Sequence, residues 1–139
     1  MKIIGLNGKH YHIDLKKYLI SQNDTKKRST YHISVRNLLL ETYKGYTILE
    51  EVKLPGSTKP SKRSALFLDF LIPNLMLGIE IHGRQHYEYC EFFHKTKAGF
   101  LSYKTRDNDK ARWCEANNIN LIVLKYSDGV EYWRKQLER

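Results

Sequence analysis

Two acidic side chains, Asp69 and Glu80, each stand alone within an apolar run. Asp69 is the one charged residue of residues 65–72, and Glu80 is the one acid of residues 75–82. A carboxylate in a core strand is costly unless it is paired, protonated or bound to a metal ion. In an extended strand Glu80 and His82 share one face, so a neighbouring strand could bring Asp69 beside them. Two such carboxylates suit Mg²⁺ or Mn²⁺, which keep water ligands and recruit phosphate oxygens.

Either acid alone also fits a structural role, facing solvent at a sheet edge or pairing with a core arginine. The pair is harder to explain in that way, because His82, Gln85 and His86 crowd after Glu80. Clusters of polar and titratable groups of this kind are typical of functional sites. We therefore interpret the two acids as parts of one site.

A zinc site is an alternative use of the same region. Potential ligands recur at every fourth position: His82, His86, Cys90 and His94. The predicted strand ends at His82 and Gly83 interrupts a helix, so at most the last three could align. Aromatic residues between them favour packing over metal binding.

Periodicity, capping residues and turn residues predict the elements that position these side chains. Asn7-Gly8 predicts a hairpin turn, Asp14 and Ser34 are candidate helix N-caps, and Gly45 is a candidate C-terminal cap. The predicted elements are a hairpin of residues 2–6 and 9–13, helices over 15–21 and 35–43, strands over 46–54, 65–72 and 75–82, a helix over 97–116, a strand over 120–126 and a helix over 129–137. This order predicts an α/β sheet with one crossover.

The basic charge of the 139-residue chain is concentrated in its first half. The net charge is +9, and residues 1–64 hold 13 Lys and Arg against 5 Asp and Glu. A basic half favours a polyanion such as nucleic acid, although a basic balance also simply aids solubility. Two predicted basic loops, residues 22–30 and 57–64, supply candidate phosphate contacts or else solvated charge. Their candidate contacts are Lys26, Lys27, Arg28, Lys59, Lys62 and Arg63.

Length and composition exclude several classes of protein. A chain of this length fits one domain, and no apolar run reaches the roughly 20 residues that a membrane span needs. Two cysteines do not make a disulfide scaffold, and the first residues do not read as a secretory signal. We expect a reducing, cytoplasmic setting, that of the host cell if the gene belongs to a phage, and no membrane partner.

The pattern of residues 66–70 (LFLDF) and 80–87 (EIHGRQHY) resembles the core of the PD-(D/E)xK nucleases. The similarity continues through residues 106–114 and 118–122, and covers roughly residues 46–126. It is greatest for small phage-type members near the very-short-patch-repair endonucleases and the EDxHD homing endonucleases. The resemblance implies a restriction-endonuclease-like mixed central sheet flanked by helices. Residues 46–139 would then form the nuclease core, and residues 1–45 a basic, DNA-contacting hairpin and helices in the same globule.

The resemblance also implies roles for particular residues. Asp69 and Glu80 would bind the metal ion, and His82 stands where the superfamily usually has lysine. His86 would act as an acid, a base or a phosphate contact, and Asp107 would be a further acid on the following helix. Three more assignments follow: Lys110 at the scissile phosphate, Arg84 and Gln85 in contact with DNA, and Glu41 as the helical glutamate, in competition with Glu50 and Glu51.

These roles make the expected activity Mg²⁺- or Mn²⁺-dependent hydrolysis of double-stranded DNA. A site-specific homing or mobility endonuclease is the leading interpretation, and a repair-type nicking enzyme is the second. The change of lysine to His82 keeps a third open, a catalytically inactive nucleic-acid-binding module with the same fold. An RNA-directed nuclease would use the same chemistry. One site cuts one strand, so a homodimer on DNA would account for double-strand cleavage.

Overall fold

The chain folds around a four-stranded sheet, with a separate two-stranded hairpin at its start. The structure is a computed structural model and describes residues 1–21, 26–57, 65–88 and 95–138. Its strands and α-helices are β1 (Lys2–Ile4), β2 (His10–His12), α1 (Thr30–Thr42), β3 (Leu49–Lys53), β4 (Phe67–Ile72), β5 (Leu77–His82), α2 (Lys97–Ala116), β6 (Asn120–Lys125) and α3 (Val130–Leu137).

The sheet is mixed, with the strand order β3-β4-β5-β6. β3, β4 and β5 form antiparallel pairs, whereas β5 and β6 are parallel and are joined through α2. A short turn at Pro73–Leu75, with Met76 in the left-handed region, lets β4 return directly as β5. The α/β class and the single crossover are thus confirmed.

Helix α2 covers one face of the sheet. Thr96 caps its N-terminus by accepting a hydrogen bond from the Gly99 N–H, and the helix spans the predicted residues. Trp113 and Cys114 on this helix are fully buried in a core that also includes Leu68 and Leu71. The hairpin adds Ile3 and Ile13 to the same core.

Helices α1 and α3 cover the opposite face. Their buried side chains form a second core with Phe70, Ile79 and Leu124 of the sheet. The Tyr43 hydroxyl, just beyond α1, donates a hydrogen bond of 2.7 Å to the Leu137 carbonyl at the end of α3. Residues from the first 45 positions therefore contribute to the cores on both faces.

Strand alternation is interrupted at one level of β3 and β4. Leu49 and Val52 both belong to the α2-side core, although they are three positions apart, and Glu51 between them has a φ of 50°. In the paired strand, Leu68 and Leu71 likewise share that core. A left-handed residue shifts the phase of a strand in this way. The interruption lies directly beside Asp69, at the level of the predicted site.

Two sequence predictions about the N-terminal region were wrong in detail. Helix α1 begins at Thr30, because Ser29 and not Ser34 accepts the capping hydrogen bond, from the His32 N–H. The predicted helix over 15–21 is a short 3-10 helix at Leu15–Tyr18, capped by Asp14 as expected. It ends early because Leu19 leaves the helix to form a β-bridge with Leu49.

The other elements agree with the sequence in type and, apart from α2, differ at their ends. The hairpin of β1 and β2 turns through Gly8 in the left-handed region, and the strand predicted over 46–54 is shortened to β3. Of the two predicted basic loops, residues 22–25 and 58–64 lie outside the described residues. No helix within the described part of the chain is long and apolar enough to cross a membrane.

Candidate active site

Asp69 and Glu80 meet where the ladder between β4 and β5 stops. The register pairs Phe70 with Ile79, and one step further sets Asp69 opposite Glu80. There the backbone N–H of Asp69 donates to Glu80 Oε1 at 3.0 Å, and the N–H of Ile81 donates to Asp69 Oδ2 at 2.8 Å. One oxygen of each carboxylate is thereby fixed, and Asp69 Oδ1 and Glu80 Oε2 remain as the two oxygens for other partners.

The two carboxyl groups hold protons more tightly than ordinary acids. Burial, followed by the charge of Glu80, raises the pKa of Asp69 to about 7. Burial also raises the pKa of Glu80, against the opposing effect of Lys110. Carboxyl groups that are desolvated together resist ionising together, and a bound cation would relieve that repulsion. The arrangement fits the predicted metal role.

Helix α2 supplies the cation nearest to this pair. Lys110 Nζ lies 3.0 Å from Glu80 Oε2, and both side chains are largely buried. Glu80 faces α2 because the alternation predicted for β5 is confirmed: Gly78 on the same face lies against Leu68 and Ile119 of the α2-side core. The predicted neighbourhood of Glu80 and Lys110 is therefore present.

A second cluster contains His82, His86 and Asp107. The two imidazole rings stack with centroids 4.1 Å apart, and His86 Nδ1 lies 2.9 Å from Asp107 Oδ2. His82 Nε2 lies 3.9 Å from Asp107 Oδ1 and 4.0 Å from Glu80 Oε2. One ligand atom from each of the three residues falls within 4.8 Å of the others, so the cluster could itself hold a metal ion. Cys90 and His94, of the alternative zinc set, lie outside the described residues.

The protonation of this cluster favours a neutral imidazole beside a charged carboxylate. Burial, together with the nearby His86, lowers the pKa of His82 to about 4. Burial tends to raise the pKa of Asp107, but the hydrogen bond and charge of His86 outweigh it, and the pKa is lowered. His82 is therefore neutral at pH 7 and can accept a proton, whereas Asp107 is ionised.

The first turn of α1 adds a buried histidine that sequence reasoning missed. His32 Nε2 lies 2.8 Å from Glu50 Oε2, and His32 Nδ1 lies 3.9 Å from Asp69 Oδ1. Two arginines also pair with Glu50, Arg28 at 3.5 Å and Arg36 at 3.2 Å. Because the helix was predicted to start after Ser34, His32 was placed outside it. The sequence signal for an earlier start is Ser29, which is also a good N-cap residue.

Glu41 does not reach the site. It lies in the last turn of α1, is 62% exposed, and pairs with Arg134 of α3 at 3.1 Å. The site adjoins the first turn of that helix, about 15 Å away at 1.5 Å per residue. Glu50 is the glutamate that the fold brings near Asp69, and this was one of the competing assignments.

The predicted DNA contacts divide between internal and surface positions. The Arg28 side chain is only 9% exposed and pairs with Glu50 and Glu51, so it is not displayed as a phosphate contact. Lys26 pairs with Glu51 at 2.6 Å, and Lys27 is exposed. Burial tends to raise the pKa of Glu51, but hydrogen bonds from Lys26 and Arg28 lower it. Lys59, Lys62 and Arg63 lie outside the described residues.

Arg84 and Gln85 lie on a cavity of about 520 Å³ that opens over the two carboxylates. Arg84 is well exposed and pairs with Glu88 at 2.6 Å. The cavity is lined by Ser29, Tyr31, His32, Asp69, Glu80, Ile81, Gly83, Arg84, Gln85, His86, Lys110 and Tyr126. Its volume is in the range of small-molecule sites, roughly 300–1,000 Å³. It joins the two carboxylates, Lys110, His86 and the predicted DNA contacts in one space.

Three viral proteins are similar to this chain. It is 37% identical over 76 residues to "Uncharacterized protein 307L" of Invertebrate iridescent virus 6. The matched stretch covers 55% of this chain and 39% of the relative. It is 36% identical over 91 residues to "Uncharacterized protein 094L" of Frog virus 3. That stretch covers 63% of this chain and 59% of the relative. A protein of Invertebrate iridescent virus 3, "Uncharacterized protein 033L", is 35% identical over 68 residues, which is 49% of this chain and 35% of that relative. The chain spans less than two thirds of each.

No protein-family model and no solved structure matches the chain. The names of the viral relatives give no activity that could be compared with the site. Function therefore has to be argued from the geometry of the site itself.

Proposed function

We propose that this chain is a metal-dependent endonuclease of the PD-(D/E)xK type that hydrolyses phosphodiester bonds in double-stranded DNA. One observation carries the proposal: the carboxylates of the buried Glu80 and the half-buried Asp69, on adjacent strands, each have one oxygen fixed by a backbone N–H and a second oxygen that no backbone group holds. The four-stranded mixed sheet between helices is compatible with a restriction-endonuclease-like fold.

The donor set suits a hard divalent cation. Asp69 Oδ1 and Glu80 Oε2 are carboxylate oxygens, the ligands that Mg²⁺ and Mn²⁺ prefer. Bound there, the cation would supply Lewis-acid polarisation of a phosphoryl oxygen and a lowered pKa for a bound water.

The surrounding side chains have distinct tasks in this proposal. His82 accepts the proton of the attacking water in this proposal, because its ring is unprotonated at pH 7 and can take up a proton. His86, fixed by Asp107, contacts the phosphate or delivers a proton to the leaving group. Lys110 stabilises negative charge as it develops on the phosphate.

Lys110 also bears on the alternative of an inactive binding module. That alternative rests on histidine at position 82, where the superfamily usually has lysine. Lys110 places an ammonium group 3.0 Å from Glu80, so a lysine is present beside the acid although it comes from α2. This contact favours retained catalysis.

Cleavage of supercoiled plasmid tests the proposal. We expect nicked or linear product with Mg²⁺ and none with EDTA, and Asp69→Asn and Glu80→Gln should each lower the rate by at least about 100-fold, as loss of a group that stabilises the transition state does. Glu41→Gln is the matched control, because it removes an exposed carboxylate outside the site and should cleave at the wild-type rate. Equal rates for wild type and Asp69→Asn would refute the assignment.

The biological role within this activity is a finer part of the proposal. A site-specific homing or mobility endonuclease should leave one discrete cut in random-sequence DNA, whereas a repair-type enzyme should nick only mismatched or damaged duplexes. Mapping both strands of the product separates these roles and shows whether a homodimer is needed. A parallel RNA substrate tests the alternative of an RNA-directed nuclease.

A further inference from the structure

A row of aromatic rings extends from the lining of the cavity. Tyr31 of α1 and Tyr126, just after β6, have ring centroids 6.3 Å apart. Tyr126 and Tyr87 follow at 6.4 Å, and Tyr87 and His82 at 5.8 Å. Tyr31 and Tyr126 line the same cavity as Asp69 and Glu80, so the row connects the surface to the two carboxylates.

Two lysines flank this row. Lys125 Nζ lies 4.6 Å from the centroid of the Tyr87 ring, and Lys104 Nζ lies 5.2 Å from it. Neither lysine belongs to an ion pair among residues 1–21, 26–57, 65–88 and 95–138. Both ammonium groups thus lie over a ring of this row and remain available to an external anion.

The hydrophobic cores do not account for Tyr31. Its side chain is 42% exposed and belongs to neither core, although it lies in the first turn of a helix whose buried side is fully packed. Tyr87 already has both lysines on its ring and its hydroxyl 3.3 Å from His82 Nδ1. Tyr31 and Tyr126 are therefore the rings of the row best placed to receive a ligand.

We propose that Tyr31 binds an unpaired nucleobase by stacking, with Tyr126, whose ring is inclined at 57° to it, against the edge of that base, and with Lys104 and Lys125 contacting its neighbouring phosphates. This inference rests on the proposed nuclease function and narrows its substrate to DNA that carries a single-stranded or extruded nucleotide beside the scissile phosphate. An aromatic face accepts any base, while flanking lysines follow the backbone, which is the combination that single-stranded nucleic acid requires. A base inside a duplex has no free face to offer these rings.

Binding of short DNA strands in EDTA tests the inference without cleavage. The probes are a fluorescein-labelled dT12 strand and a strand of equal length and charge in which the central bases are replaced by abasic sites. We expect the wild-type protein to bind dT12 at least about fivefold more tightly than the abasic strand, the lower end of what base stacking contributes. Tyr31→Ala should bring this ratio close to one.

Two control variants separate stacking from general effects. Tyr31→Phe keeps the ring and should keep the ratio, and Tyr46→Ala removes another exposed tyrosine that lies beyond the far end of α1 and should also keep it. A ratio near one in the wild-type protein, or an unchanged ratio in Tyr31→Ala, would overturn the inference. Base-dependent binding without Mg²⁺-dependent cleavage would refute the nuclease function alone, whereas cleavage without base-dependent binding would refute this inference alone.

Discussion

At the scale of single residues, the site depends on how Asp69 and Glu80 share a desolvated space. Each accepts one backbone hydrogen bond from the opposite strand, which stabilises its charged form, yet burial outweighs this and raises the pKa of both. Among the described residues, Glu80 has a cation within hydrogen-bonding distance, Lys110, and Asp69 has none. Asp69 is consequently the acid that gains most from a metal ion.

The raised pKa of Asp69 predicts that the stability of the metal-free protein depends on pH. The pKa of Asp69 is about 7 in the folded chain and near 3.9 in an unfolded one, so the folded state binds more protons between these values. The contribution of Asp69 to the free energy of unfolding should therefore fall as the pH rises from about 4 to 7, by up to about 4 kcal/mol. The lowered pKa of His82, about 4, acts in the opposite direction over the same range, so the contribution of Asp69 is measured against a variant that lacks it. Urea unfolding in EDTA at several pH values measures it.

Asp69→Asn is the matched variant for that measurement. It cannot ionise at position 69, so the stability of the wild-type protein relative to that of Asp69→Asn should fall as the pH rises from about 4 to 7. A pH dependence identical to that of the wild-type protein would show that Asp69 has an ordinary pKa.

At the scale of elements, the first turn of α1 sets the position of His32 and Tyr31. Ser29 accepts a hydrogen bond of 3.1 Å from the His32 N–H, and the same turn places the His32 ring against Glu50 and near Asp69. The cap therefore links the stability of the helix to the geometry of the cavity.

Two serines of this region make a matched test of the cap. Ser29→Ala should lower the free energy of unfolding by about 1 kcal/mol, because it removes the capping acceptor. Ser34→Ala should change it by no more than about 0.5 kcal/mol, since Ser34 lies within the helix and caps nothing. Thermal or urea unfolding measures both. A larger loss for Ser34→Ala would mean that the helix begins where the sequence pattern first indicated.

At the scale of the whole molecule, local signals in the sequence predict one half of the site and miss the other. The lone acids in apolar strands and the 20-residue α2 follow from periodicity and burial, because these depend on neighbours along the chain. Asp107 and Lys110 were assigned to the site by the resemblance to the PD-(D/E)xK nucleases. The group of His32, Glu50 and Arg28 was predicted by neither. It depends on the phase shift at Glu51, which brings Glu50 and Glu51 within reach of the same arginine, and no local pattern announces that shift.

The fold also changes how the distribution of charge along the sequence is interpreted. The basic first half suggested a surface for the phosphate backbone, but Arg28 and Arg36 are partly used inside the molecule to pair with Glu50. Lysines of the nearly neutral second half, Lys104 and Lys125, instead lie over the Tyr87 ring. The residues that we propose as phosphate contacts therefore differ from those that the distribution of charge along the sequence indicated.

The central claim is that Asp69 and Glu80 together hold one divalent cation, and titration of the purified protein with Mn²⁺ tests it most directly. We expect the wild-type protein and Glu41→Gln to bind an ion that Asp69→Asn and Glu80→Gln bind at least about tenfold more weakly. His86→Ala separates this ion from any held by His82, His86 and Asp107, and should leave it bound. Equal Mn²⁺ affinity in wild type and Asp69→Asn, or loss of the ion in His86→Ala alone, would contradict the account.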